Sequence, residues 1–226
     1  MVSERQFVNS ILNSVTYLLT CDGSKDCWLV DCGDTEGLIN VMRASEGLSL
    51  KGILLTHAHF DHIYGINEML EMFPSAVVIT TAWGKEALES EKLNLSRYHE
   101  RPFNLKYGER CVLVDEGMTL PMDCITQLED IVLWPSVSTR VMFTPGHNPS
   151  CLVFVIEDMY FTGDAYIPNV NVVTNIQRAV KAVAWETYHK IEDMCKDKQV
   201  YSGHWIEEGV EGSYGILKED EFMNEF

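Results

Sequence analysis

The segment His57-Ala58-His59-Phe60-Asp61-His62 gathers three imidazoles and a carboxylate within six residues. Borderline-soft nitrogen beside hard oxygen is a donor set for a divalent ion. On an extended stretch His57, His59 and Asp61 share one face at steps of two. His62 then opens a helix on a different bearing, free to reach a second ion. Three later positions have the same character: His147 after Thr144-Pro145-Gly146, Asp164 after Phe161-Thr162-Gly163, and His204 after Tyr201-Ser202-Gly203. Each follows a strand-like run, and the glycine before it lets backbone approach a crowded centre. These motifs use five of the 7 histidines. His189 is expected on the solvent side of a helix, and His99 in an irregular middle segment.

The elements that must position these residues alternate between strand and helix. Val15 to Thr20 and Cys27 to Asp31 flank a turn-rich Asp22-Gly23-Ser24-Lys25-Asp26, a hairpin signal. A helix is expected after Asp34-Thr35, with Leu38, Ile39 and Met42 at helical spacing. Gly52 to Thr56 is a short apolar run of the buried parallel type, leading straight into His57. Ile63, Ile66, Met69, Leu70 and Phe73 form one helical face. A strand at 76–80 and a helix at 83–90 follow. Residues 91–108 are polar and irregular, either a surface connection or a lid. Strands resume at 111–114, 130–134, 140–143, 151–156 and 160–162. A long helix is read from Ile176, Val180, Val183, Thr187, Ile191 and Met194, and a last strand at 198–202. The pattern is a layered α/β fold in one domain over 1–226, with an acidic tail at 206–226.

Composition removes several classes of function. Lys plus Arg number 17 against 34 Asp plus Glu, a formal charge of −17. Such a polyanion is a poor partner for nucleic acid or an anionic membrane. No apolar run approaches the length of a membrane span. The first seven residues lack a basic region leading into an apolar stretch, so no secretory signal is read and the cytoplasm is expected. Seven cysteines, loosely spaced and set mostly in apolar strings, read as buried free thiols. The partner expected is a small molecule; oligomeric state is not encoded in any pattern found.

Taken in order and at these strand ends, the four motifs resemble the metallo-β-lactamase superfamily of metallohydrolases, from the first hairpin to His204. The resemblance implies an α/β fold of four layers, an αβ/βα sandwich with a metal site at one edge. It further implies that His57, His59 and His147 hold one metal, that Asp61, His62 and His204 hold a second, and that Asp164 bridges them. Two divalent ions, zinc first with iron or manganese accepted by the same donors, would share and acidify a water. Asp61 is the candidate to orient that water and shuttle its proton. The glyoxalase II branch shares all seven ligand types, and the lactonase branch has a similar His-Phe-Asp-His core. The lactonase branch also places a tyrosine shortly after the bridging aspartate, where it assists the carbonyl; Tyr166 lies one residue closer and is the second catalytic candidate. Expected chemistry is hydrolysis of a small ester, thioester or lactone. An iron-dependent oxidoreductase of the persulfide dioxygenase or diiron reductase type is the alternative on the same ligands. Asn148-Pro149-Ser150 departs from the commoner threonine and glycine after the histidine, and Trp205 from a small glycine. Whether Trp205, Arg97, Arg101 or Arg178 meets substrate stays open at this level.

Overall fold

The computed structural model describes residues 1–45 and 47–206. Among the described residues, twelve strands form two six-stranded sheets. The first contains β1 (Val2–Val8), β2 (Val15–Cys21), β3 (Asp26–Val30), β4 (Ser49–Leu54), β5 (Val77–Thr80) and β6 (Cys111–Leu113), in that spatial order. β1 to β3 form an antiparallel meander, and β3 to β6 run parallel. The parallel crossovers carry α1 (Glu36–Ala44), α2 (Ile66–Met72) and α3 (Ala82–Leu88). The second sheet contains β7 (Thr126–Gln127), β8 (Ile131–Trp134), β9 (Val137–Phe143), β10 (Leu152–Ile156), β11 (Met159–Gly163) and β12 (Gln199–Ser202). Its order is β12-β11-β10-β9-β7, with β8 also paired to β9. α4 (Lys181–Met194) joins β11 to its parallel neighbour β12.

Alternation along the strands builds the layers. Leu18, Leu29 and Ile53 face a core shared with Leu38 of α1, Met69 of α2 and Ala87 of α3. Their neighbours Leu19, Val30 and Leu54 face the other way and meet Val141, Phe143, Phe154 and Phe161 of the second sheet. Met142, Val153 and Val155 point outward again, onto Ala184, Tyr188 and Ile191 of α4. Side chains of period two thus serve two cores per sheet, which is why these strands read as continuous apolar runs. The result is the four-layer α/β sandwich that the family resemblance implied.

Two differences from the sequence reading stand out. The last helix begins at Lys181, not near Ile176. Val180 is extended, its N–H is taken by the Gly146 carbonyl, and Arg178 has a φ of 73°. The 176–180 stretch therefore packs as a loop over the turn that carries His147. β1 has no apolar alternation, with burial mainly at Val2, and was not separable from the sequence as a strand of its own. The tail expected from 206 lies, from 207 onward, outside the described residues. No helix among the described residues is long and apolar enough to cross a membrane.

Candidate metal centre

The cluster forms where the two sheets present their strand ends. His57 and His59 follow β4 directly, and Phe60–His62 closes into a single 3-10 turn. This turn takes Asp61 off the face it was expected to share with His57 and His59 and sets its carboxylate against His62 and His204. His147 follows β9, Asp164 follows β11 and His204 follows β12. All seven side chains are buried, none more than 7% exposed. A side chain at position 203 would collide with Oδ1 of Asp164, so a glycine there admits the carboxylate. Gly146, at a φ of 128°, makes the turn that aims His147 inward.

Donor atoms converge in three overlapping groups: His57, His59 and His147; His57, His62 and Asp164; Asp61, His62 and His204. Within each group they lie within 4.8 Å of one another. Nδ1 of His59 is 3.1 Å from Nε2 of His147. Oδ2 of Asp61 is 3.2 Å from Nε2 of His62 and 3.3 Å from Nε2 of His204. Asp164 stands between the groups, with carboxylate oxygens 3.3 Å from His204, 3.5 Å from His147, 3.6 Å from His62 and 3.9 Å from His57. Nε2 of His57 and Oδ1 of Asp164 are buried with no hydrogen-bond partner among the described residues. Buried polar atoms left this way are costly, and a cation is what both would satisfy.

Electrostatics divide the cluster. Burial, reinforced by neighbouring imidazoles, holds His57 well below the usual histidine range and His59 at about 3. His147 is lowered too, by burial against the opposing pull of Asp164. His62 and His204 are also buried, but carboxylates outweigh the burial and raise both: chiefly Asp61 for His62 and Asp164 for His204. Burial alone would raise the Asp61 carboxyl, yet His62 and His204 bring it down to about 2.

Asp31 supports this centre and was not singled out from the sequence. It is buried at the end of β3 with a φ of 55°. Oδ1 accepts from the Thr56 N–H at 2.8 Å. Oδ2 accepts from the Thr56 hydroxyl at 2.7 Å and from Nδ1 of His62 at 2.9 Å. A polar residue ending the apolar run Cys27 to Val30 was the available signal. His99 was read as part of a lid or connection, and its ring lies 4.2 Å from that of Phe60, between His59 and Asp61 in the chain. The structure does not bring Tyr166 into the cluster. Its ring packs edge-on against Tyr188 at 4.8 Å within the apolar layer under α4, and burial pushes its hydroxyl up to about 12. His189 is exposed on α4, paired with Glu192.

Comparison with known proteins agrees with this geometry. A family model described as the metallo-beta-lactamase superfamily matches residues 10–204. A hydroxyacylglutathione hydrolase of Pseudoalteromonas translucida is 24% identical over 200 residues, covering 87% of this chain and 63% of that protein. One from Shewanella baltica is 30% identical over 177 residues, covering 78% of this chain and 56% of that protein. The chain thus spans less than two thirds of the length of either relative. The crystal structure of the BLEG-1 B3 metallo-beta-lactamase superposes with a TM-score of 0.75 at 25% identity, covering 90% of this chain and 92% of that one. By matched length, fold and clustered histidines and aspartates together, the chain belongs to the metallo-beta-lactamase superfamily.

Proposed function

We propose that the protein is a hydrolase dependent on two divalent metal ions, acting on a small ester, thioester or lactone. The observation that carries this reading is the buried cluster of five imidazoles and two carboxylates in two halves that meet at Asp164. In this reading His57, His59 and His147 would hold one ion, Asp61, His62 and His204 the other, with Asp164 available to both. Zinc is the ion assigned first. When bound, such ions supply Lewis acidity and lower the pKa of water towards neutrality. The residues do the rest. Asp164 offsets the charge of two cations in a dry pocket. Asp61, kept ionised by His62 and His204, is placed to accept a hydrogen bond from the attacking water and to orient it. Asp31 fixes the ring of His62 from behind. Tyr166 takes no part. The hydroxyacylglutathione hydrolases among the relatives support the thioester end of the substrate range.

Metal analysis of the purified protein, run beside a panel of thioesters and lactones, tests this reading. About two zinc or manganese ions per chain with turnover is the expected result. Iron without hydrolysis, together with oxygen consumption on a persulfide, would replace it with the oxidoreductase reading. His59→Ala is expected to lose metal and activity together; full retention of both would remove His59 from the ligand set.

A further inference from the structure

A histidine that ligates through one ring nitrogen carries its proton on the other, so the partner of the outward nitrogen sets the tautomer. Four rings of the cluster are set alike. Nδ1 of His62 donates to Asp31, Nδ1 of His204 to the Leu12 carbonyl, and Nδ1 of His147 to the Val173 carbonyl, each at 2.9 Å. Nδ1 of His57 lies 3.2 Å from the Thr56 hydroxyl, whose own proton is committed to Asp31. In the neutral form of each ring the lone pair on Nε2 therefore faces the cluster.

His59 is turned around. Its Nδ1 faces inward, towards His147, and its Nε2 faces the Asn148 side chain at 2.7 Å. Ser150 decides which end of that amide points at the ring. The Ser150 backbone N–H can only donate, and it lies 2.9 Å from Oδ1 of Asn148. The Ser150 hydroxyl donates to the same oxygen at 2.7 Å while accepting from the Ala58 N–H at 3.1 Å. Oδ1 is thereby taken, and the donor Nδ2 is what meets His59. A donor at Nε2 places the neutral ring's proton on Nδ1, on the side of the cluster. Asn148, His59, His147 and the Val173 carbonyl then form one continuous chain of hydrogen bonds.

We propose that Asn148, anchored by Ser150, is a positioning residue that holds His59 in the tautomer opposed to ligation and so weakens metal binding in the first half of the centre. The proposal rests on His59 being a ligand. Binding at Nδ1 requires its proton to leave, and Nε2 cannot take that proton without breaking the Asn148 contact.

Long-range proton–nitrogen NMR of the metal-free protein reads the tautomer without any variant. The expected result is His59 protonated on Nδ1; protonation on Nε2 would overturn the proposal. Competition of zinc against a chromophoric chelator supplies the second measurement. In Asn148→Asp a carboxylate oxygen accepts from Nε2–H, and the weaker zinc step is expected to tighten about 10–100-fold. Asn148→Ala removes the donor without adding charge and is expected to tighten by a smaller factor. Tightening in the aspartate variant alone would be simple charge attraction and would sink the idea. If His59→Ala kept both ions, the ligand assignment would have failed; loss of an ion there with an Nε2–H tautomer in the parent would overturn this proposal only.

Discussion

His57, His59 and His147 are held neutral by burial, whereas His62 and His204, equally buried a few ångströms away, are drawn towards the cationic form by Asp61 and Asp164. The difference lies in where the carboxylates stand. Asp61 lies 3.2 and 3.3 Å from His62 and His204, whereas the contacts of Asp164 with the other trio are longer, 3.5 Å to His147 and 3.9 Å to His57. Without metal, the carboxylates of the second half favour a proton where an ion would sit, and burial disfavours one in the first. One half is preorganised by exclusion of water, the other by opposite charge.

In the proposed assignment Asp164 is the side chain shared by both halves, so its removal is the most damaging test of the contrast. Asp164→Ala leaves the second half with one carboxylate and the first with none. We expect at most one tightly bound ion and a loss of turnover of about a thousandfold or more, equivalent to several kcal/mol of charge stabilisation. Retention of two ions per chain by mass spectrometry would show that the halves are independent.

A smaller effect separates the halves by pH in the metal-free protein. A histidine lowered in the folded state leaves the unfolded chain binding more protons below about pH 6.5, so stability falls on acidification there. A histidine raised in the folded state contributes fully below that value, and its contribution is lost as pH rises through the folded pKa. His59→Ala should therefore make the slope between pH 6.5 and 5 shallower by about 1.4 kcal/mol per pH unit. His204→Ala should leave that acid limb alone and flatten the alkaline one. Urea denaturation of chelator-treated protein across pH measures both, and identical profiles for the two variants would erase the distinction.

The same contrast explains how much of the centre could be read in advance. The seven candidate ligands were legible because they fall in four motifs that each follow an apolar run, with glycine before three of them. Strand–helix alternation made a layered α/β fold legible, while the four layers were implied by the family resemblance the motifs carry. Asp31, Asn148 and Ser150 were not assigned roles, because their importance lies in hydrogen bonds to the far side of an imidazole, and those depend on register between distant strands. Tyr166 failed in the opposite direction: its place in the chain sits beside Asp164, but the backbone after β11 turns its ring under α4. The helix expected from 176 was cut short by a tertiary contact, the Val180 N–H on the Gly146 carbonyl, which no local periodicity encodes.

The smallest expected effect concerns access to the second half. Residues 96–103 form a strap whose base is closed by the Ser96 hydroxyl, which accepts from the Phe103 N–H at 2.8 Å, and by Asn94, which donates to the Phe103 carbonyl at 3.0 Å. Its tip, from Arg97 to Pro102, is exposed, with His99 laid on Phe60. Burial lowers His99 against a pull from Asp61, which places the ring within electrostatic reach of the second half. His99 touches none of the seven candidate ligands through a hydrogen bond, so His99→Ala should leave metal content intact. A ring-on-ring contact of this kind contributes about 1 kcal/mol; with the strap acting as a lid in the proposed reading, its loss should raise KM about fivefold with kcat little changed. A fall in kcat with KM unchanged would instead place His99 in the chemistry, and loss of metal would make the strap part of the centre.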